Sequence, residues 1–116
     1  MSTDTFAVFY GIRRLIIDEK EIESLELRTH VLQKSAQKNR LKLWWGPNMD
    51  AHMKSDGHYL LMGGQIGIFG VENEKHLSLS DADLLALMEQ TKSRLIAAGI
   101  NEAPTLQFQA EIEQNS

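Results

Sequence analysis

The chain has 116 residues, with 16 acidic and 12 basic side chains and a formal charge of −4. That length builds one domain over 1–116, with the polar ends 1–5 and 113–116 read as frayed. Hydrophobic residues make up 42%, and only 2 Pro and 8 Gly are present, which excludes a disordered or collagen-like chain. There is no cysteine, so disulfides, thiolate-bound zinc, iron–sulfur clusters and a thiol nucleophile are excluded as well.

The opening MSTDTF lacks a basic n-region, and the apolar run from Phe6 is broken by Arg13 and Arg14. No stretch reaches the ~18 apolar residues of a membrane span. A cytoplasmic protein with no membrane partner is expected.

Phe6 to Ile12 is rich in aromatic and β-branched residues and predicts a first strand, extending towards Ile17. Both of its alternation sets are apolar, so it is expected to be covered on both faces. Residues 18–39 predict one helix. Ile22, Leu25, Thr29, Leu32 and Ala36 recur at steps of three and four, with Asp18 as cap. Acidic residues crowd its first half and basic residues its second, which complements the helix dipole. Leu41 to Trp45 predicts a short second strand, and Gly46-Pro47-Asn48 opens a loop that Ser55-Asp56-Gly57 closes. His58 to Phe69 predicts a third strand that runs straight through Gly63-Gly64.

Val71 to Ser80 is a polar connection. A second helix then starts at Ser80, with Asp83 at the capping-box position and Leu79 as a staple onto Leu84. Leu84, Met88, Thr91, Leu95 and Ala98 form its buried stripe, and Gly99 with Ile100 ends it. Thr105 to Glu113 predicts the last strand, with Leu106, Phe108, Ala110 and Ile112 facing in and Gln107, Gln109, Glu111 and Glu113 facing out.

The order β-α-β-β-α-β is the pattern of the ferredoxin-like sandwich. The expected fold is therefore α+β: a four-stranded antiparallel sheet, two helices on one face, and strands one and three in the middle. Beyond this architecture the sequence carries no family motif.

Helices on one face leave the other open. Alternation puts Phe9, Trp44, Tyr59, Leu61 and Phe69 there, rimmed by Arg13 and Lys42, with Ile68 on the helix side. A monomer rarely leaves so much contiguous apolar surface in water. The expectation is a homodimer that packs through this face and binds a small apolar or aromatic ligand. The alternative is an adaptor or inhibitor that presents the same face to another protein. Single-stranded nucleic acid is disfavoured, because Gly63 to Gly70 contains no basic residue and the net charge is negative. Residues 28–54 carry Arg28, Lys34, Lys38, Arg40, Lys42 and Lys54 against Asp50, a charge run read as solvated surface.

Reactive chemistry has one candidate stretch. Asp-x-His occurs twice, as Asp50-x-His52 and Asp56-x-His58. A carboxylate beside an imidazole can orient it for general acid/base work. His58, His52, Asp56 and Asp50 are the candidate catalytic residues, His58 foremost because it enters a strand. The spacing matches no metal motif, so no metal or cofactor is assigned. Loops between strands are commonly rich in such residues. Gly64-x-x-Gly67-x-x-Gly70 lacks the dinucleotide-binding spacing. His30 and His76 are read as surface residues.

Overall fold

A computed structural model describes residues 5–49, 55–70 and 74–110. It is an α+β fold with the element order β1 (Phe6–Ile16), α1 (Glu19–Glu26), α2 (Val31–Lys38), β2 (Lys42–Met49), β3 (Ser55–Phe69), α3 (Asp81–Ala97) and β4 (Thr105–Ala110). The four strands form one open sheet in the order β2-β3-β1-β4, and every pairing is antiparallel. β1 and β3 are central, in line with their apolar residues on both faces. None of the described helices is long and apolar enough to cross a membrane.

The predicted single helix over 18–39 is two helices. Asp18 caps α1 by accepting from the Lys20 and Glu21 amides. The helix ends because Arg28 takes the left-handed conformation at φ 61°. Arg28 N–H then donates to the Leu25 carbonyl and Thr29 N–H to the Ser24 carbonyl, which closes a Schellman turn. His30 restarts the chain as the cap of α2. Its Nδ1 accepts from the Leu32 amide, and the Gln33 carboxamide oxygen accepts from the His30 amide. This is a capping box built with imidazole in place of a hydroxyl. His30 is accordingly buried, not a surface residue. The apolar stripe survives the break, with Leu25 and Ala36 buried and Thr29 exposed at the turn.

β2 runs through Gly46-Pro47-Asn48, which had been expected to open a loop. β3 passes unbroken through Gly63-Gly64, as expected. A Cβ on Gly63 would lie 2.3 Å from the Tyr10 carbonyl oxygen, and one on Gly11 would lie 2.2 Å from that of Met62. Glycine is thus required where the two central backbones approach. A Cβ on Gly64 would meet Thr91 Oγ1 at 2.4 Å, so α3 lies directly on that position.

α3 has the predicted caps. Asp83 N–H donates to Ser80 Oγ at its start, and Ile100 N–H donates to the Leu95 carbonyl past its end, around Gly99 at φ 82°. α2 and α3 are tied by Arg94, which donates to the Arg40 carbonyl, and by Ser35 Oγ, which donates to the Ala98 carbonyl.

Two apolar clusters sandwich the sheet. On the helix side Ile12, Ile16, Leu60 and Met62 pack with Leu25, Ala36, Leu95 and Ile100 from the helices and their ends. On the other side Ala7, Phe9, Trp44, Tyr59 and Leu61 form a second cluster, with Ile68 against it. The Trp pair divides between them, since Trp45 packs on the first and Trp44 belongs to the second.

Candidate functional site

Phe9, Trp44, Tyr59 and Leu61 share one face, as their alternation predicts. They do not form an open surface. Phe9 is fully buried, and Tyr59, Leu61 and Trp44 are nearly so. The polar groups around them are engaged with the same cluster. Trp44 Nε1 donates to Gln65 Oε1 at 3.1 Å. The Arg13 guanidinium sits 5.9 Å from the Tyr59 ring centroid, within cation–π range. The face expected to meet a partner is therefore a second core within one chain.

Phe69 is not part of it. Val8 pairs with Gly67 and Phe9 with Gln65, so Ile66 is an extra residue opposite the Val8–Phe9 step. A β-bulge of this kind reverses the alternation beyond it. Ile68 joins the second cluster, and Phe69 turns to the helix side and stacks on Phe6 at 5.4 Å. Period-two reasoning could not find this, because a bulge leaves no fixed residue signature.

The bulge builds a groove. Val8, Ile66, Phe69 and Leu106 supply its floor from three strands. Leu77, Leu79 and Leu84 supply its wall from the connection before α3 and the first turn of that helix. The volume is about 260 Å³, and all seven described lining residues are apolar. Glu74 ties the connection to the sheet, since its amide donates to the Ile68 carbonyl and its carbonyl accepts from the Gly70 amide.

The groove opens onto β4. Leu106 and Phe108 were expected to face inward, with Gln107 and Gln109 outward. They do lie on the helix side, opposite Tyr10 and Val8, but Leu106 is 51% and Phe108 66% exposed. Gln107 and Gln109 are the half-buried pair. The reason is lateral: α3 packs over β3 and β1 and α2 over β2, which leaves the β4 edge uncovered. Phe6, 38% exposed, extends the apolar rim. A second hollow, about 340 Å³, lies beneath the end of α3 and is lined by Lys92, Asn101 and Glu102 among apolar neighbours. Its Glu102 carboxylate is taken up by the Arg14 guanidinium.

Of the four acid/base candidates only His58 has a described side chain. His58 projects to the helix side, opposite Ile16 and Pro47 and 5.6 Å from the Trp45 ring. It stands at the end of β3 remote from the groove and across the sheet from the Tyr59 ring. Its Nδ1 is buried and meets no hydrogen-bond partner among the described residues. Asp50 and His52 lie outside the described residues, as does the Asp56 side chain. Among the described residues no three His, Asp or Glu side chains converge as a metal site would require.

Sequence reasoning missed Ile66, Leu77 and Leu106 as site residues. Leu77-x-Leu79 in an otherwise polar connection was the available signal. Compared with protein-family models, curated proteins and solved structures, the chain matches none.

Proposed function

We propose that this chain is a small binding protein of ferredoxin-like architecture, which takes a small, uncharged apolar or aromatic molecule in the groove between β1, β3, β4 and the start of α3. The architecture is supported by the central position of β1 and β3 and by helices packed against one side of the sheet. A reducing, cytoplasmic setting belongs to the same proposal and rests on the absence of cysteine.

One observation carries the ligand reading: a concave site whose described lining is entirely apolar remains open to solvent, while both larger apolar clusters are closed. Burying apolar surface there gains about 25 cal/mol per Å² removed from water. The described lining residues offer no side-chain donor, acceptor or charge, so they select by shape and apolarity and disfavour ionic ligands on desolvation grounds. Among the described residues no acid/base pair faces the groove, and the proposed role is binding. The burial of Phe9, Trp44, Tyr59 and Leu61 gives no support to self-association through those side chains.

The test is a fluorescence titration with N-phenyl-1-naphthylamine, a neutral aromatic probe that brightens in apolar sites. Saturable enhancement is expected with the wild-type protein and its loss in Leu77→Arg, whose side chain is already partly exposed. Absence of saturable enhancement in the wild type refutes the reading.

A further inference from the structure

The sheet has two edges, and they are built differently. β2 carries Lys42, Pro47 and a register shift after Pro47, three devices that keep an edge strand from pairing with another chain. β4 has none of them. Residues 105–110 read Thr-Leu-Gln-Phe-Gln-Ala, without charge or proline, and pair with β1 in unbroken register. The residues that a solitary edge would make charged are instead Leu106 and Phe108, both largely exposed.

From this contrast we infer that β4 pairs antiparallel with β4 of a second copy, and that Phe108 of the second copy closes the apolar groove. The inference rests on the groove being the binding site. The strand complements itself. In antiparallel pairing about a twofold axis, residues of equal parity face each other on one side of the joined sheet. An axis at Phe108 sets Phe108 against Phe108 and Gln107 against Gln109; an axis at Gln107 sets Leu106 against Phe108. In either register Phe108 of the second copy neighbours Leu106, directly or diagonally. Leu106 lines the groove on its β4 side. Amides meet amides on the opposite side, where glutamines hydrogen-bond one another and no like charges meet.

Size fits an adjustable pairing. The exposed parts of Leu106, Phe108 and Phe6 amount to roughly 300 Å² of apolar surface per copy. With the strand backbone added, the interface falls at the low end of specific association, near or below 1,200 Å² in total. Such a dimer depends on concentration. A ligand held by both copies must then strengthen it, and dimerisation must strengthen ligand binding by the same factor.

Sedimentation equilibrium of the full chain, with and without N-phenyl-1-naphthylamine, is the test. The expected result is a monomer–dimer equilibrium whose dissociation constant falls roughly fivefold or more when the probe is saturating. Two variants separate the parts. Phe108→Lys removes the closing ring. Gln107→Lys lies on the opposite side from each groove but sets cations against each other across the joined edge, directly or diagonally. Both are expected to be monomeric with native circular dichroism and to bind the probe at least about fivefold more weakly. A wild-type protein that stays monomeric with saturating probe overturns the inference. So does a monomeric Gln107→Lys that binds the probe as tightly as wild type, although the ligand reading then stands. A wild-type dimer that binds no probe overturns the ligand reading itself, and the closing role of Phe108 with it.

Discussion

Phe9→Ala separates a second core from an open face. The Phe9 side chain is fully buried among Ala7, Trp44, Tyr59 and Leu61. An aromatic ring of this kind removes about 150–250 Å² from water. At about 25 cal/mol per Å² that is roughly 4–6 kcal/mol of transfer, of which alanine keeps a part. Large-to-small aromatic substitutions in cores cost about 3–5 kcal/mol, and the same range is expected here. Against a domain stability of about 5–15 kcal/mol, the variant should be severely weakened. Phe108→Ala is the internal control: its ring is 66% exposed, so a cost below about 1 kcal/mol is expected for the monomer. Urea denaturation followed by circular dichroism, at protein concentrations low enough to exclude pairing across β4, measures both. The midpoint should fall at unchanged m-value for Phe9→Ala and barely move for Phe108→Ala. A cost for Phe9→Ala below about 1 kcal/mol would refute the reasoning, since the ring would then be no more than surface.

The remaining expectations follow from single residues. Arg28→Gly places at φ 61° the residue that adopts it without strain, and should raise stability by up to about 1 kcal/mol in a thermal melt. The opposite change at the end of α3, Gly99→Ala, should lower it by about 1 kcal/mol. Gly64→Val drives a side chain into Thr91 and should cost about 1–3 kcal/mol; a neutral result would mean that α3 does not lie on Gly64. His58→Phe removes a buried ring nitrogen that lacks a partner among the described residues. It should be neutral or stabilising by about 1 kcal/mol, and a loss above about 2 kcal/mol would show that Nδ1 is engaged.

Local signals were readable where one short segment decides the outcome. Ser80, Gly99 and Ile100 define the ends of α3, and the burial of Leu95 and Thr91 follows from their spacing. The central place of β1 and β3 was readable from apolar residues on both of their faces. What escaped depended on competition between elements. Arg28 and His30 split one apolar stripe into two helices, although neither is the residue normally found at such positions. Ile66, a single inserted residue, moved Phe69 to the other side of the sheet. Alternation in β4 correctly grouped Leu106 with Phe108, but alternation reports a side and not whether anything covers it. The helices stop short of that edge, so the candidate site formed on the face expected to be closed, and the face expected to be open became core.

Amide hydrogen exchange, followed strand by strand, tests the central claim most directly. With increasing protein concentration and saturating N-phenyl-1-naphthylamine, the outward-pointing amides of residues 105–110 should become protected while those of the β2 edge, residues 42–46, exchange unchanged. Exchange in β4 that is insensitive to both concentration and probe would contradict the account.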